Sequence, residues 1–280
     1  MHKSSGRRRW RRLAFALLLL LAVVAVLIWF FPARWALAWL TPRLHGARFA
    51  QVSGTLWQGE AGELRLVDGR LLGSAQWQVS RRVLWSPQPL RLQVRGAEFA
   101  FDGTVQRNGD SVAWDQVHLR ANLALWRPRQ APGLGLPRGE WDMQVDHAVL
   151  QAGWPLQAAW HARWSNAGLL THGSSVTLGT IELRGSAQAG VIDAHAADDG
   201  GGPLQLVGNL RLTPLGWWLD ARLRARADDP ALHHWLATLG QPDADGAIHV
   251  HRVGGLAAMG AATPAPAASA TVPAGTKDKR

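Results

Sequence analysis

Polar and apolar positions follow two different rules along this chain. From Leu13 to Phe31 there is no alternation at all: LAFALLLLLAVVAVLIWFF runs without a charge or a strong helix breaker. A helix of that length, at about 1.5 Å per residue, spans the roughly 30 Å core of a bilayer. From Arg48 onward the period is two. Glu63-Leu64-Arg65-Leu66-Val67, Gln76-Trp77-Gln78-Val79, Arg91-Leu92-Gln93-Val94 and Glu98-Phe99-Ala100-Phe101 all alternate. Side chains at i, i+2 and i+4 share one face of a strand, so each segment predicts a strand with one apolar and one polar side.

The alternation continues through Val112, Trp114, Val117 and Leu119, with an irregularity expected at Asp115-Gln116. It returns at Trp141 to Val145, Trp160 to Trp164, Ile181 with Leu183, Leu204 with Leu206, and Leu210 with Leu212. The longest strictly alternating run is Trp217 to Ala227. Turn residues punctuate these segments at Asp68-Gly69, Asn108-Gly109, Gly133 to Pro137 and Asp199 to Pro203, and Asn108-Gly109 is the strongest hairpin signal. Roughly a dozen strands at this spacing predict an all-β meander or sandwich. The connections are too short for parallel crossovers, so the pairing is expected to be mostly antiparallel.

One helix interrupts the strands. Asp229 suits an N-cap, Pro230 the first turn and Gly240 the C′ position. Leu232, Trp235, Leu236 and Leu239 form an apolar stripe at i, i+3, i+4 and i+7. A last strand, Ala247 to Val253, follows, and then an Ala/Pro-rich tail with no apolar period. The expected division is a cytoplasmic basic tail (1–12), a transmembrane anchor (13–31), a juxtamembrane linker (32–45), a β domain (46–255) and a disordered tail (256–280). Pro32 to Leu40 could extend the anchor helix beyond the bilayer.

Charge changes the picture at the N-terminus alone. The net charge of the 280 residues is +10, but Lys3, Arg7, Arg8, Arg9, Arg11 and Arg12 supply six of it, leaving 24 basic against 20 acidic groups. Basic residues before an apolar span hold that end in the cytoplasm, so the β domain is expected across the membrane. A cleaved signal peptide has the same order of regions. The apolar run is longer than such peptides use, and no clean small-x-small site follows it. Trp29, Trp35 and Trp39 bracket the outer end as an interfacial belt would. No basic patch suggests nucleic acid. The absence of Cys excludes disulfides and thiolate chemistry.

Candidate chemistry is sparse. His249 and His251 share one strand face without an obvious acidic partner, and His233-His234 point to different sides of the helix. Asp198-Asp199 before Gly200-Gly201-Gly202-Pro203 lacks the spacing of a calcium loop and reads as an exposed turn. Ser53 and Ser174 lie in no nucleophile elbow, and no phosphate loop occurs. No catalytic residue, metal site or cofactor is expected. Arg222, Arg224 and Arg226 alternate with apolar residues and are expected to line one strand face, either solvated or facing an acidic partner or lipid phosphates. Segments opening on Gly54, Gly139, Gly179 and Gly208 echo one another faintly.

Several stretches carry a resemblance to protein N of the bacterial type II secretion system. They are Val52-Ser53-Gly54-Thr55-Leu56-Trp57-Gln58-Gly59, Gly73 with Gln76-Trp77, Trp164-Ser165-Asn166-Ala167, Leu178-Gly179, Gly201-Gly202-Pro203-Leu204, Leu239-Gly240 and Asp245-Gly246. The resemblance covers roughly residues 32–254. It implies a bitopic inner-membrane accessory with a periplasmic domain, non-catalytic, whose partners are other secretion components such as the inner-membrane platform or the secretin. It also implies an elongated, curved sheet like that of AsmA-type envelope bridges. From the residues themselves, the Gly54 to Gly59 stretch reads as structural, with Leu56 or Trp57 facing inward.

Three functions compete: a secretion scaffold or assembly factor, a lipid-handling module with an apolar groove, and a cell-wall binder with exposed Trp platforms. The direction in which Trp77, Trp114, Trp141, Trp160 and Trp164 point separates them.

Overall fold

The computed structural model describes residues 17–20, 29–40, 48–66, 69–81, 89–125, 135–171 and 174–255. Within them, thirteen strands form one sheet in strict chain order. They are β1 Arg48–Gly54, β2 Gln58–Arg65, β3 Leu71–Val79, β4 Leu90–Arg95, β5 Phe99–Asn108, β6 Ser111–Asn122, β7 Leu136–Gln151, β8 Trp154–Thr171, β9 Ser174–Gln188, β10 Val191–Asp198, β11 Leu204–Thr213, β12 Gly216–Ala225 and β13 Ile248–Gly255. All neighbouring pairs are antiparallel, as the short connections predict. Helices α1 (Ala33–Leu40) and α2 (Pro230–Leu239) flank the sheet near its two ends. The sheet is therefore an open meander, in which each described strand pairs only with its sequence neighbours.

Tight turns enforce this order. Ala152-Gly153 and Ala189-Gly190 join β7 to β8 and β9 to β10, with φ of 49° and 82° in the first and 49° and 81° in the second. Two successive positive values mark the type I′ turn, whose twist suits a hairpin. The Asn108-Gly109 hairpin forms, but one residue later than the sequence suggests. Asn108 pairs with Ser111, and Gly109 (φ 62°) and Asp110 make the turn.

The period of two gives the sheet one apolar face throughout. A single cross-strand row runs Val94, Phe101, Leu119, Met143, Ala162, Leu183, Ala196, Gly208, Ala221 and Val250 from β4 to β13. Trp77, Trp114, Trp141, Trp160 and Trp164 lie on this same face and are half-buried. Bulges preserve the face where alternation breaks. The pairing shifts between Asp102 and Thr104, opposite the stretch where Gln116 takes φ 52°, so Trp114 and Val117 share a side although three residues apart. A second bulge, with Asn166 at φ 50°, brings Trp164 and Ala167 into one buried cluster. This is why the longest strand is not Trp217 to Ala227. β8 has 18 residues and β12 has 10, because a strict alternation test stops at each bulge of the longer strands.

Packing concentrates at the two ends. Near the N-terminal end Ala61, Leu64, Ala75 and Val94 form a buried cluster with Phe49, Trp77, Phe99 and Phe101 against it. Near the C-terminal end α2 lays Leu232, Trp235 and Leu236 on Val176, Leu178, Ile181, Leu204, Leu223 and Ile248. The helix is the predicted one. Asp229 caps it, its side chain accepting from the N–H of Ala231 at 2.9 Å and of Leu232 at 3.4 Å. Gly240 stops it for a different reason from the one expected. Its φ is 170°, extended rather than left-handed, and a Cβ there would stand 3.2 Å from Ile248 Cγ2. Close packing against β13, not a left-handed turn, favours glycine.

The expected anchor lies mostly outside the described residues: of it, 17–20 are helical and 29–31 are described. Among the described residues no helix is long and apolar enough to cross a membrane. Within the expected linker, α1 is helical as Pro32 to Leu40 suggests, and the tail beyond Gly255 lies outside the described residues.

Candidate interaction sites

The Gly54 to Gly59 stretch is the turn from β1 to β2, and it grips the chain arriving from the apolar segment. Pro32 bridges to Thr55, and the Leu56 N–H donates to the Phe31 carbonyl at 2.9 Å. The Arg81 guanidinium lies 4.3 Å above the centre of the Trp29 ring, a cation–π contact. Inside the turn, Thr55 N–H donates to the Gln58 carbonyl at 2.8 Å, and Thr55 Oγ1 accepts from Gln58 N–H at 3.3 Å. Trp57, 6% exposed, is the residue that faces inward, whereas Leu56 is 39% exposed. The Trp77 indole N–H donates to the Leu56 carbonyl at 3.2 Å. Its ring lies so close over Gly59 that a Cβ there would stand 2.4 Å from Trp77 Cζ2. The motif is a clasp between the N-terminal segment and the first strands.

The second motif closes the other end. Gly201-Gly202-Pro203-Leu204 links β10 to β11 and touches the bulged part of β9: a Cβ on Gly179 would stand 2.7 Å from Gly202 Cα. Asp198 and Arg226 lock this corner. The Asp198 carboxylate accepts from Arg226 Nη1 at 2.6 Å, from Leu206 N–H at 2.7 Å and from Gly200 N–H at 2.8 Å. Arg226 also donates to the carbonyls of Gly202 at 3.3 Å and Leu204 at 3.1 Å. The Asp198 side chain is 5% exposed, so it is not the free turn residue that its sequence context suggests. Burial alone would raise its pKa. The Arg226 bond and the two N–H groups outweigh that and hold the carboxyl below its ordinary value. Trp164-Ser165-Asn166-Ala167 and Leu178-Gly179 meet at the same corner, beside a recess of about 500 Å³ lined by Arg138, Asn166, Ser175, Thr177 and Asp199. Residues far apart in sequence thus form one structural unit.

The three arginines part company here. Arg222 and Arg224 project from the polar face of β12, but Arg226 lies past the strand and belongs to the corner. Arg222 stands 3.4 Å from Asp245 and 3.8 Å from Asp243. Arg224 is exposed, opposite Gln205. The histidines of β13 do have acidic neighbours, contrary to expectation. His249 Nε2 lies 3.2 Å from Asp243, and His251 Nδ1 lies 3.5 Å from Asp220. Asp243 comes from the loop before β13 and Asp220 from β12, so neither was visible beside the His pair in sequence. Among the described residues no group of three ligating side chains could hold a metal ion.

The polar face as a whole is laced by cross-strand ion pairs: Arg120–Asp142 at 3.2 Å, His147–Asp115 at 2.6 Å, Arg163–Glu182 at 2.6 Å and Arg211–Asp193 at 2.6 Å. Each joins residues directly opposite in register. Exposed pairs of this kind add little to stability, but each sets opposite charges directly across the strands and so favours the observed register.

The sequence matches the family model "Type II secretion system (T2SS), protein N" over residues 45–251. No curated protein and no solved structure matches it. The match spans the meander from just before β1 into β13 and contains both motifs, and the chain belongs to the type II secretion system protein N family.

Proposed function

We propose that the protein is a non-catalytic accessory of type II secretion, a scaffold or assembly factor held in the inner membrane. In this reading residues 13–31 cross the membrane with the N-terminus in the cytoplasm, and the sheet stands in the periplasm. The observation that carries it is the clasp. Trp29, Phe31 and Pro32 are fastened to the first turn and to the β3–β4 connection, so the sheet is tied directly to the end of the apolar segment. A rigid tether of this kind suits a protein that holds a position relative to the bilayer. Phe30, Phe31, Trp35 and Leu56 are exposed around the clasp, where an interfacial belt would lie.

The partners are other secretion components, the inner-membrane platform or the secretin, met through the polar face or a sheet edge. On the polar face Arg224 is the arginine of the β12 row left for such a contact. Between the rival readings, the Trp side chains favour lipid handling over wall binding. All five lie on the apolar face among aliphatic residues, unlike a flat, exposed sugar platform. A reporter active only in the periplasm, fused after Arg280, tests the topology. Activity together with an N-terminus upstream of Leu13 supports the reading. An inactive reporter, or an N-terminus newly made after Ala36 or Ala38, contradicts it.

A further inference from the structure

We propose that the apolar face between the two buried clusters holds the acyl chains of a membrane phospholipid. This rests on the reading of residues 13–31 as a bilayer anchor. The first observation is the chemistry of the face. Its central row from β4 to β13 contains no charged or hydrogen-bonding side chain, and around Leu119, Met143, Trp114 and Trp160 it is only half-buried. Trp77 and Trp164 turn their indole N–H groups onto the carbonyls of Leu56 and Arg138, at 3.2 Å and 2.8 Å, so these rings add apolar surface without an unpaired donor.

The second observation separates lipid from protein as the occupant. A protein interface carries about one hydrogen bond per 100–200 Å². The row itself offers no side chain to make one, and beside it on the central strands stand only single indole donors, those of Trp114, Trp141 and Trp160, whereas acyl chains need none. Most charged side chains of the central strands stand on the opposite face, where many are already engaged with one another across the strands. The third observation is continuity. The apolar face begins in the strands that the clasp ties to Phe31, so it runs on from the end of the apolar segment past the N-terminal cluster. Between the two clusters, from Phe101 on β5 to Leu183 on β9, it covers four strand spacings, roughly 19 Å at about 4.8 Å each, more than the roughly 15 Å that a chain spans in one leaflet of a 30 Å bilayer core.

The test uses the full chain in nanodiscs made of phosphatidylglycerol radiolabelled at its phosphate. The photo-crosslinker p-benzoylphenylalanine replaces Leu119 or Met143 on the apolar face, His118 or Gln144 on the polar face, or Leu20 in the apolar segment. Two positions on each face guard against one variant misfolding, and a thermal melt verifies each. Leu20 should acquire label if the anchor is in the bilayer. Leu119 and Met143 should then acquire at least about tenfold more label than His118 and Gln144, since moving even two methylenes between water and an apolar surface shifts an equilibrium by about that factor. Label at Leu20 with equal or no label on the two faces overturns the inference and leaves the anchor standing. A crosslinked dimer in place of a lipid adduct overturns it in favour of self-association. No label at Leu20 removes the anchor reading, and the inference falls with it.

Discussion

Single residues hold the corners of this sheet, and their effects can be ranked. Asp198 is the least exposed of the ion-paired carboxylates among the described residues, bonded to Arg226 and to two backbone N–H groups. Asp198→Asn should destabilise the domain by about 1–2 kcal/mol at neutral pH, because it removes the charge that strengthens the bond from Arg226 and can set an amide donor against the N–H groups of Leu206 and Gly200. Folding lowers the Asp198 pKa, so its contribution is fully present above the ordinary carboxylate value of about 3.9. That contribution is lost as pH falls through the lower folded value. Urea melts of wild type and variant should therefore differ at pH 7 and draw together only as the pH falls below the ordinary carboxylate value; a gap independent of pH would contradict the assignment. The type I′ turns make a prediction of opposite sign. Ala189 sits at φ 49°, a region that disfavours a Cβ by roughly 1–2 kcal/mol but that Asn tolerates. Ala189→Asn should raise the melting temperature and Ala189→Val should lower it. None of this was legible in the sequence: Asp198 and Arg226 are 28 positions apart, and the hairpin signal expected for such a turn is Asn-Gly rather than Ala-Gly.

At the scale of elements, the start and the apolar stripe of the helix were readable, because its cap, first-turn proline and stripe are local signals, whereas the packing of Gly240 on β13 was not. Asp229→Ala should cost about 1 kcal/mol through the lost cap, and Trp235→Ala about 3–5 kcal/mol through the cavity it leaves. Trp235→Phe should cost clearly less than Trp235→Ala, since the indole N–H is buried without a partner and its removal offsets part of the lost contact. Equal losses for Ala and Phe would contradict that packing. The arginine row was readable only in part. Alternation fixes the face of Arg222 and Arg224 on β12, but nothing local tells that the strand ends at Ala225. Replacing all three arginines would damage the Gly-Gly-Pro-Leu corner along with the surface. Arg224→Gln alone should leave the melt unchanged, and Arg226→Gln should lower it. If Arg224 meets an acidic partner, its replacement should also weaken co-purification with other secretion components, and the wild-type contact should weaken with salt. The long strands β7, β8 and β9 were readable only in fragments, because register shifts between Val145 and His147 and around Asn166 and Gly179 reset the period that identifies a strand.

At the scale of the whole molecule, sequence order becomes spatial order. Short connections leave each strand no neighbour but the next, and the period of two then writes one continuous apolar face and one charge-paired face. The fold class was therefore legible from pattern alone. The clasp and the corner were legible as motifs but not as contacts, since each joins segments brought together only by the sheet. The proposed role in secretion follows from the family and from the tie between sheet and apolar segment. The most direct measurement is export in a strain from which the gene is deleted, complemented by the wild-type chain or left without it. Folded substrates of type II secretion should accumulate in the periplasm of the deletion strain, and the wild-type chain should restore their release. Undiminished release of folded substrates from the deletion strain would contradict a role in that machine.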